Sequence, residues 1–402
     1  MDGFITLAAC DTEEDLKSLA DIVCSGKNDE ISIQKAIDEC AATGKNLYFF
    51  NGRYFIEGFY DFGDGGPKTA LCFPNIKREI SVMGQNYAYA KKGGPDFYVP
   101  ASALDSVDED GVDIIRTTWT NRGISNGSAL RIECIKISLS HNQRAVRCID
   151  LRRCDRPELK NVRMSAYVDM NAGLGNPPPV PAAGCIGLTM TDGSNNSFSS
   201  YTNMTVTGFY EGYQVAGECV SMLNCGAIMC YYGHTFGNYE INCGVNHPIT
   251  IINGKDERNV NLPLFNRCGD GDGHGGRLQG NQCVTMIGFH IERIAEQTPG
   301  GVLGDLMREV HPGTWKGNID FTLQPAWCHT NTTDAQLWEN DGSGIGIKTR
   351  NNCHKTVCDT KERLSYYPTY GQQIFDTDLN KMVICIDPAN KKWVDFNGNP
   401  IV

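Results

Sequence analysis

From about residue 110 to 330, short apolar runs rich in Ile, Val, Leu and Thr alternate with clusters of Gly, Asn, Asp and Ser. Examples are Ala129 to Ile137, Cys148 to Leu151, Leu159 to Met164, Ile186 to Met190, Met204 to Val206, Ile249 to Ile252 and Val284 to Ile287. No long helical period separates them. Many short strands joined by close turns predict an all-β sandwich, barrel or solenoid. A weak repeat favours the solenoid. Leu159-Lys160-Asn161-Val162, Tyr201-Thr202-Asn203-Met204 and Met222-Leu223-Asn224-Cys225 share one local pattern. Asn203 and Asn224 lie 21 residues apart, and Asn161 and Asn203 lie 42 apart, twice that interval. Between the latter pair runs a loop, Asn171 to Ala183, containing Pro177-Pro178-Pro179. A period near twenty suits one coil of a solenoid, and asparagines at coil corners can stack into a hydrogen-bonded ladder. Chance recurrence among many asparagines is the competing explanation.

The first 60 residues have a different texture. Residues 12–23 read as a short helix, with Thr12 as N-cap, Glu13, Glu14 and Asp15 in the first turn, and Leu16, Leu19 and Ala20 on one face. A second helix starts at Asn28 or Asp29, carries the stripe Ile33, Ala36, Ile37, Cys40 and stops at Gly44. Leu47 to Phe50, a turn at Asn51-Gly52, and Tyr54 to Ile56 read as strand, tight turn, strand. At the other end, Gly371 to Asp376, Met382 to Ile386 and Lys392 to Phe396 read as three short strands, with turns at Asp387-Pro388 and Asn397-Gly398. The expected organisation is a cap and first coil over 1–60, a body over 61–365 and a small β module over 366–402.

Composition adjusts this picture modestly. A chain of 402 residues usually divides into several domains, but a solenoid core grows in one dimension without a size ceiling. The 44 glycines against 17 prolines suit many turns and few long helices. A net charge of −11 argues against nucleic acid as a partner. It also means that any acidic glycan needs a local basic patch. The 18 cysteines sit largely inside apolar runs, as Cys134, Cys148, Cys225, Cys283 and Cys385 do. They are expected to be mostly buried free thiols packing as small hydrophobes. The opening Met1-Asp2-Gly3-Phe4 has no signal-peptide pattern, and no run is long enough for membrane insertion.

Two segments are similar to known families. Residues 5–58 run through Ala9-Cys10-Asp11, Ala20-Asp21-Ile22-Val23-Cys24, Gly26-Lys27-Asn28-Asp29-Glu30, Ile33-Gln34-Lys35-Ala36-Ile37-Asp38 and Leu47 to Ile56. This resembles the opening of pectate-lyase-superfamily β-helix proteins, in the variant found in phage and prophage tail proteins. The resemblance implies a right-handed parallel β-helix whose first helix caps the solenoid end, where apolar interior and strand edge are otherwise exposed. The second segment, Tyr370 to Gly398, with Phe375-Asp376-Thr377-Asp378-Leu379-Asn380-Lys381 and Lys392-Trp393-Val394-Asp395, is similar to a terminal module of gut-phage tail fibres and tailspikes. It departs from that module at Val383-Ile384-Cys385-Ile386, where the family usually has a tryptophan-bearing strand.

Candidate chemistry is scattered. Carbohydrate cleavage needs two carboxylates across the scissile bond. The best acidic cluster is the loop Cys268 to Arg277, whose Asp270, Asp272 and His274 are candidate catalytic residues, with Arg277 as a substrate contact. A flexible glycine turn explains the same residues. Asp270 and Asp272 also offer oxygen to calcium, but fall short of the six to eight ligands it takes, so no cofactor is expected. On the strand-like run Gly288 to Arg293, Glu292 is a further catalytic candidate and His290 a substrate contact on the same face. An ordinary solvated strand face is the plain alternative. Tyr210, Glu211 and Tyr213 combine rings for sugar stacking with a carboxylate for hydroxyls, or else pack a corner. Cys353, His354 and Cys358 have loose zinc spacing without a fourth ligand.

The terminal resemblances imply a tailspike-like receptor-binding protein of a virion tail, homotrimeric and in contact with other tail proteins. It would bind a bacterial or gut polysaccharide, with or without depolymerising it. A secreted bacterial polysaccharide lyase or glycoside hydrolase, and a structural tail component without glycan activity, are the alternatives.

Overall fold

The computed structural model describes residues 3–74, 76, 78–86, 93–119, 129–154, 156–166, 180–190, 198–236, 247–257, 262–266, 281–282, 284–292, 307–309, 315–316, 357–365, 371 and 373–401. The chain is a right-handed parallel β-helix. Three all-parallel sheets of ten, eight and eight strands run along it. Each coil contributes one strand to each sheet in turn. The first complete coil places Asn46–Phe49 in the first sheet, Gly52–Phe55 in the second and Lys68–Phe73 in the third. It therefore crosses residue 60. The turn at Asn51-Gly52 is a coil corner, since its two flanking strands pair with different sheets.

The core is the lumen of the solenoid. Phe49, Tyr54, Phe97, Ile132, Ile137, Leu159, Met164, Leu188, Tyr201, Val206 and Ile249 are among its fully buried members. Burying such rings and branched chains in every coil supplies the main driving force. Of the twelve cysteines whose side chains are described, nine are buried and all are free. Burial pushes the Cys24 thiol up to about 12 and Cys40 up to about 11.

The asparagine ladder is present. Asn161, Asn203, Asn224 and Asn253 all adopt positive φ between 51° and 56°, a conformation that asparagine tolerates better than most side chains. Asn203 Nδ2 donates to Asn161 Oδ1 at 3.2 Å, and Asn224 Nδ2 to Asn203 Oδ1 at 2.9 Å. The corner also explains why the runs Ala129 to Ile137 and Leu159 to Met164 each split into two strands: the breaks fall at Cys134 (φ 62°) and Asn161 (φ 56°). One expectation needs correction. The 42 residues from Asn161 to Asn203 form one coil, because Glu158–Lys160 pairs directly with Ser200–Thr202. The inserted loop lengthens that coil instead of adding another.

The helix Asp29–Thr43 buries Ile33, Ala36, Ile37 and Cys40 against the first coils and ends at Gly44, φ 83°. Its first acids tie it to the solenoid: Asp29 accepts from Gly26 N and Phe55 N, and Glu30 from Glu57 N and Tyr60 Oη. The earlier helix is much shorter than the sequence predicts, Glu14–Lys17 only. Thr12 does not cap it. Its hydroxyl accepts from Ala9 N and donates to Asn51 O, clamping a corner. Ile22–Val23 joins the first sheet beside Phe4–Ala8, which leaves Leu19 66% exposed. Pairing a strand edge outcompetes a weak amphipathic pattern there.

The C-terminal sheet has five strands, Val357–Cys358, Gln373–Asp376, Lys381–Asp387, Lys392–Asp395 and Pro400–Ile401. The last four form an antiparallel meander around Ile374, Val383, Cys385 and Trp393. The sheet includes Val357–Cys358 and is joined by the helix Thr360–Ser365, so the unit begins before residue 366. Arg363 Nε donates to Asp376 Oδ2 at 2.7 Å, with both side chains buried. Among the described residues no helix is long and apolar enough to cross a membrane.

Candidate functional site

The outer face of the third sheet gathers an unusual amount of polar chemistry. In-register pairing there aligns Asp113, Arg147, Ile186, Glu211 and Tyr232 in one line. A second line holds Arg116, Asp150, Thr189, Gln214 and Thr235. Parallel pairing forces like positions to stack about 4.8 Å apart, so charges here are immediate neighbours.

Towards the N-terminal coils the face is an ion-pair lattice. Arg147 Nε donates to Asp113 Oδ1 at 2.5 Å and lies 4.0 Å from Asp150 Oδ2. Arg152 forks onto Asp150, Nη2 to Oδ2 at 2.7 Å and Nε to Oδ1 at 2.9 Å. The Trp119 ring lies 4.9 Å from the Arg152 guanidinium and 5.0 Å from that of Arg153. Arg116 makes a second fork onto Asp64 at 2.6 and 2.9 Å. Asp64 also accepts from Trp119 N and Gly66 N.

The two central carboxylates are driven apart. Burial pushes Asp113 up to about 7, reinforced by the Asp150 charge and opposed by Arg147 and Arg152. Burial acts on Asp150 in the same sense, but the Arg152 charge and hydrogen bonds, with Arg147, hold it at about 2. Split carboxylates are a pattern of acid–base sites. Both groups are buried, however, so a glycosidic oxygen has no approach to them in this conformation. They act as a cross-strand lattice.

A pH dependence follows. Between the ordinary 3.8 and about 7, the folded chain keeps a proton on Asp113 that the unfolded chain has released. Stability should therefore fall as pH rises through that window. Glu30, also raised by burial, acts in the same direction. Asp150 and Asp64, both lowered, contribute stability above the ordinary carboxylate range and lose it in acid. Thermal melting between pH 4.5 and 8 (roughly the window set by these groups) should show a decline that Asp113→Asn reduces. Parallel profiles for the two proteins would contradict the assignment.

Further along, the face becomes amide and aromatic. Thr189 Oγ1 donates to Gln214 Oε1 at 3.0 Å, and Gln214 Nε2 to Glu211 Oε2 at 3.1 Å. At the adjoining corner Tyr210 and Tyr231 stack with centroids 4.7 Å apart and planes 8° from parallel. Tyr232 meets both edge-on. All three rings are half-buried, a mixture of apolar face and polar tip suited to sugar rings.

Of the sequence candidates, Tyr210 and Glu211 thus come together on this face. Tyr213 does not. Its ring is 0% exposed, its hydroxyl donates to Gly226 O, and it stacks on His234 in the lumen. Strict alternation would place Glu211 and Tyr213 together. The alternation breaks at Gly212, where a Cβ would lie 2.7 Å from Gly233 O, and Tyr213 turns inward. Asp270, Asp272, His274, Arg277, Cys353 and His354 lie outside the described residues. His290–Glu292 does form a strand, at the end of the second sheet in register with Lys255 to Glu257, but its side chains lie outside the described set.

Sequence reasoning missed Asp113, Arg147, Asp150, Arg152, Tyr231 and Tyr232. A signal existed for the tyrosines, since the interval that carries Asn203 onto Asn224 also carries Tyr210 onto Tyr231. For the ion pairs there was none, because coil lengths vary.

No family model matches the chain, and no curated relative was found by sequence. Among solved structures, the catalytic domain of a GH87 α-1,3-glucanase in complex with nigerose is similar over 72% of this chain, at 12% identity and a TM-score of 0.34. The match spans 53% of that domain, about half its length. Tailspike protein 3 of bacteriophage CBA120 is similar over 92% of this chain and 67% of its own, at 11% identity and a TM-score of 0.19. The A-module of the mannuronan C-5 epimerase AlgE6 from Azotobacter vinelandii is similar over 75% and 90%, at 13% identity and a TM-score of 0.28.

Proposed function

We propose that this protein binds a bacterial or gut polysaccharide along its flank, as a tailspike-like receptor-binding protein. The observation that carries the reading is the half-exposed tyrosine cluster Tyr210, Tyr231 and Tyr232, seated on the buried Glu211–Gln214 pair. Half-exposed rings with polar tips are what the faces and hydroxyls of a sugar ring require. The resemblance of both chain ends to phage tail proteins supports the biological setting. Assembly as a homotrimer on a virion tail belongs to the same reading and rests on that resemblance alone. Among the described residues the split carboxylates Asp113 and Asp150 are closed to solvent, so the reading proposes binding, and the test below reads cleavage separately. The test is a glycan-array screen with mass spectrometry of the incubated ligands. Binding with intact ligands is expected. Fragments would establish a depolymerase, those one water lighter than hydrolysis products indicating a lyase. Silence on the array would leave a structural tail component.

A further inference from the structure

The corner that carries the chain from Leu139, at the end of the second sheet, to Val146, at the start of the third, holds a nucleophile, a base and a carboxylate in contact. Ser140 Oγ lies 3.1 Å from His141 Nδ1. The other ring nitrogen, Nε2, lies 3.3 Å from Asp105 Oδ1. A carboxylate beside Nε2 favours the tautomer that carries its proton there, which leaves the Nδ1 lone pair to accept from the serine hydroxyl. Serine, base and orienting acid in this order are the parts of an activated nucleophile. Such a set is recognised by roles and not by sequence position, and here the two ring nitrogens have exchanged the roles they take in serine proteases.

The three residues come from two coils. Ser140 N donates to Val99 O at 3.0 Å, which stacks the corner on the preceding coil, whose helix Ala101–Leu104 delivers Asp105 at its C-cap. Gln143 Nε2 donates to Leu104 O at 3.1 Å, and Asn142 Oδ1 accepts from Ala182 N at 3.0 Å. The corner is thus tied to the coils on both sides, and its geometry is set before any ligand arrives. The site is open to solvent: Ser140 and His141 are half-buried, and the Asp105 side chain is 68% exposed. The N–H groups of His141 and Asn142 donate to nothing among the described residues.

We infer that Ser140 and His141 hydrolyse carboxylic esters, with Asp105 as the positioning residue. Ser140 Oγ bonds to the acyl carbon as its proton passes to His141 Nδ1, and the N–H groups of His141 and Asn142 are the donors for the charge on the carbonyl oxygen. The bond from the acyl carbon to the alcohol oxygen breaks, and the alcohol leaves with the His141 proton. Water then attacks the acyl-serine by the same route, releasing a carboxylic acid and restoring the serine. The substrate class is an O-acylated polysaccharide. Arg147 pairs with Ile186, and Ile186 with Glu211, so this corner and the tyrosine corner before Glu211 are one edge of the solenoid, two coil steps or roughly 10 Å apart. A glycan laid on Tyr210 and Tyr231 along that edge carries its acyl groups towards Ser140. This choice of substrate rests on the glycan-binding reading, whereas the hydrolytic centre does not. Deacylation leaves the sugar backbone uncut. The probes are 4-nitrophenyl acetate, a fluorophosphonate and O-acetylated dextran. Wild type should release nitrophenolate from the first and acetate from the last, and the fluorophosphonate should label Ser140, located by peptide mass spectrometry. Ser140→Ala and His141→Gln should each lose at least about 100-fold in kcat/KM. Ser106→Ala, just past Asp105, should match wild type. Asp105→Ala should lower kcat with KM unchanged, and Asp105→Glu should restore part of it. Melting curves confirm that each variant is folded. Wild type that neither hydrolyses the ester nor takes the label, or Ser140→Ala as active as wild type, would overturn the inference. Hydrolysis of the small ester with no acetate released from dextran would overturn the glycan substrate alone. Binding on the glycan array by a protein without esterase activity would leave the broader reading standing, and silence in both would remove both.

Discussion

Arg147→Met should destabilise the chain by about 3–5 kcal/mol at pH 8. The guanidinium is the direct partner of Asp113 and the closest second cation to Asp150, and all three side chains are nearly or fully buried. Removing it leaves two carboxylates facing each other with only Arg152 to compensate. Methionine fills the space, so the loss reads out charge and not a cavity. The cost should shrink at pH 5. Asp113 is already raised by burial and by Asp150, and without Arg147 it rises further and stays protonated at little expense. Urea denaturation at the two pH values measures this. A loss below about 1 kcal/mol at pH 8, in the range of surface ion pairs, would mean that the lattice is solvated.

Phe97→Ala should also cost about 3–5 kcal/mol, for a different reason. The ring sits in the lumen, 5.1 Å from Phe49 and 5.8 Å from Tyr54, edge-on to both. Truncation opens a cavity that the parallel strands cannot close without losing register. Because each coil touches mainly its neighbours, the damage should be local. Hydrogen exchange should accelerate in Gly52–Phe55, Pro95–Val99 and Lys136–Leu139, which pair with one another. Protection in Tyr232–Phe236 should change little. Equal acceleration throughout would show that the solenoid unfolds as one block.

The fold was legible because a solenoid writes its period into the sequence. Asn203 and Asn224 stand one coil apart, and the ladder they form is what fixes the asparagine. The helix stripe Ile33, Ala36, Ile37, Cys40 was equally plain, because a cap must bury one face. The period misled where a coil carried an insertion, as between Asn161 and Asn203. The site was far less legible. Strand alternation alone would put Tyr213 beside Glu211, and only the break at Gly212 turns it into the lumen. The contact between Asp113 and Arg147 spans 34 residues, an interval no repeat announces. Stacking of coils of unequal length makes neighbours of residues whose sequence separation carries no signal.

The most direct measurement is binding to a glycan array by the wild-type protein and by Tyr231→Ala. Tyr231 stacks on Tyr210 at the surface corner, and its loss leaves the lumen untouched. Wild type should retain a defined set of polysaccharides, and the variant should bind them about tenfold more weakly while remaining folded by circular dichroism. A wild-type protein that binds no glycan, or a variant that binds as tightly as wild type, would contradict the assignment of this face to carbohydrate.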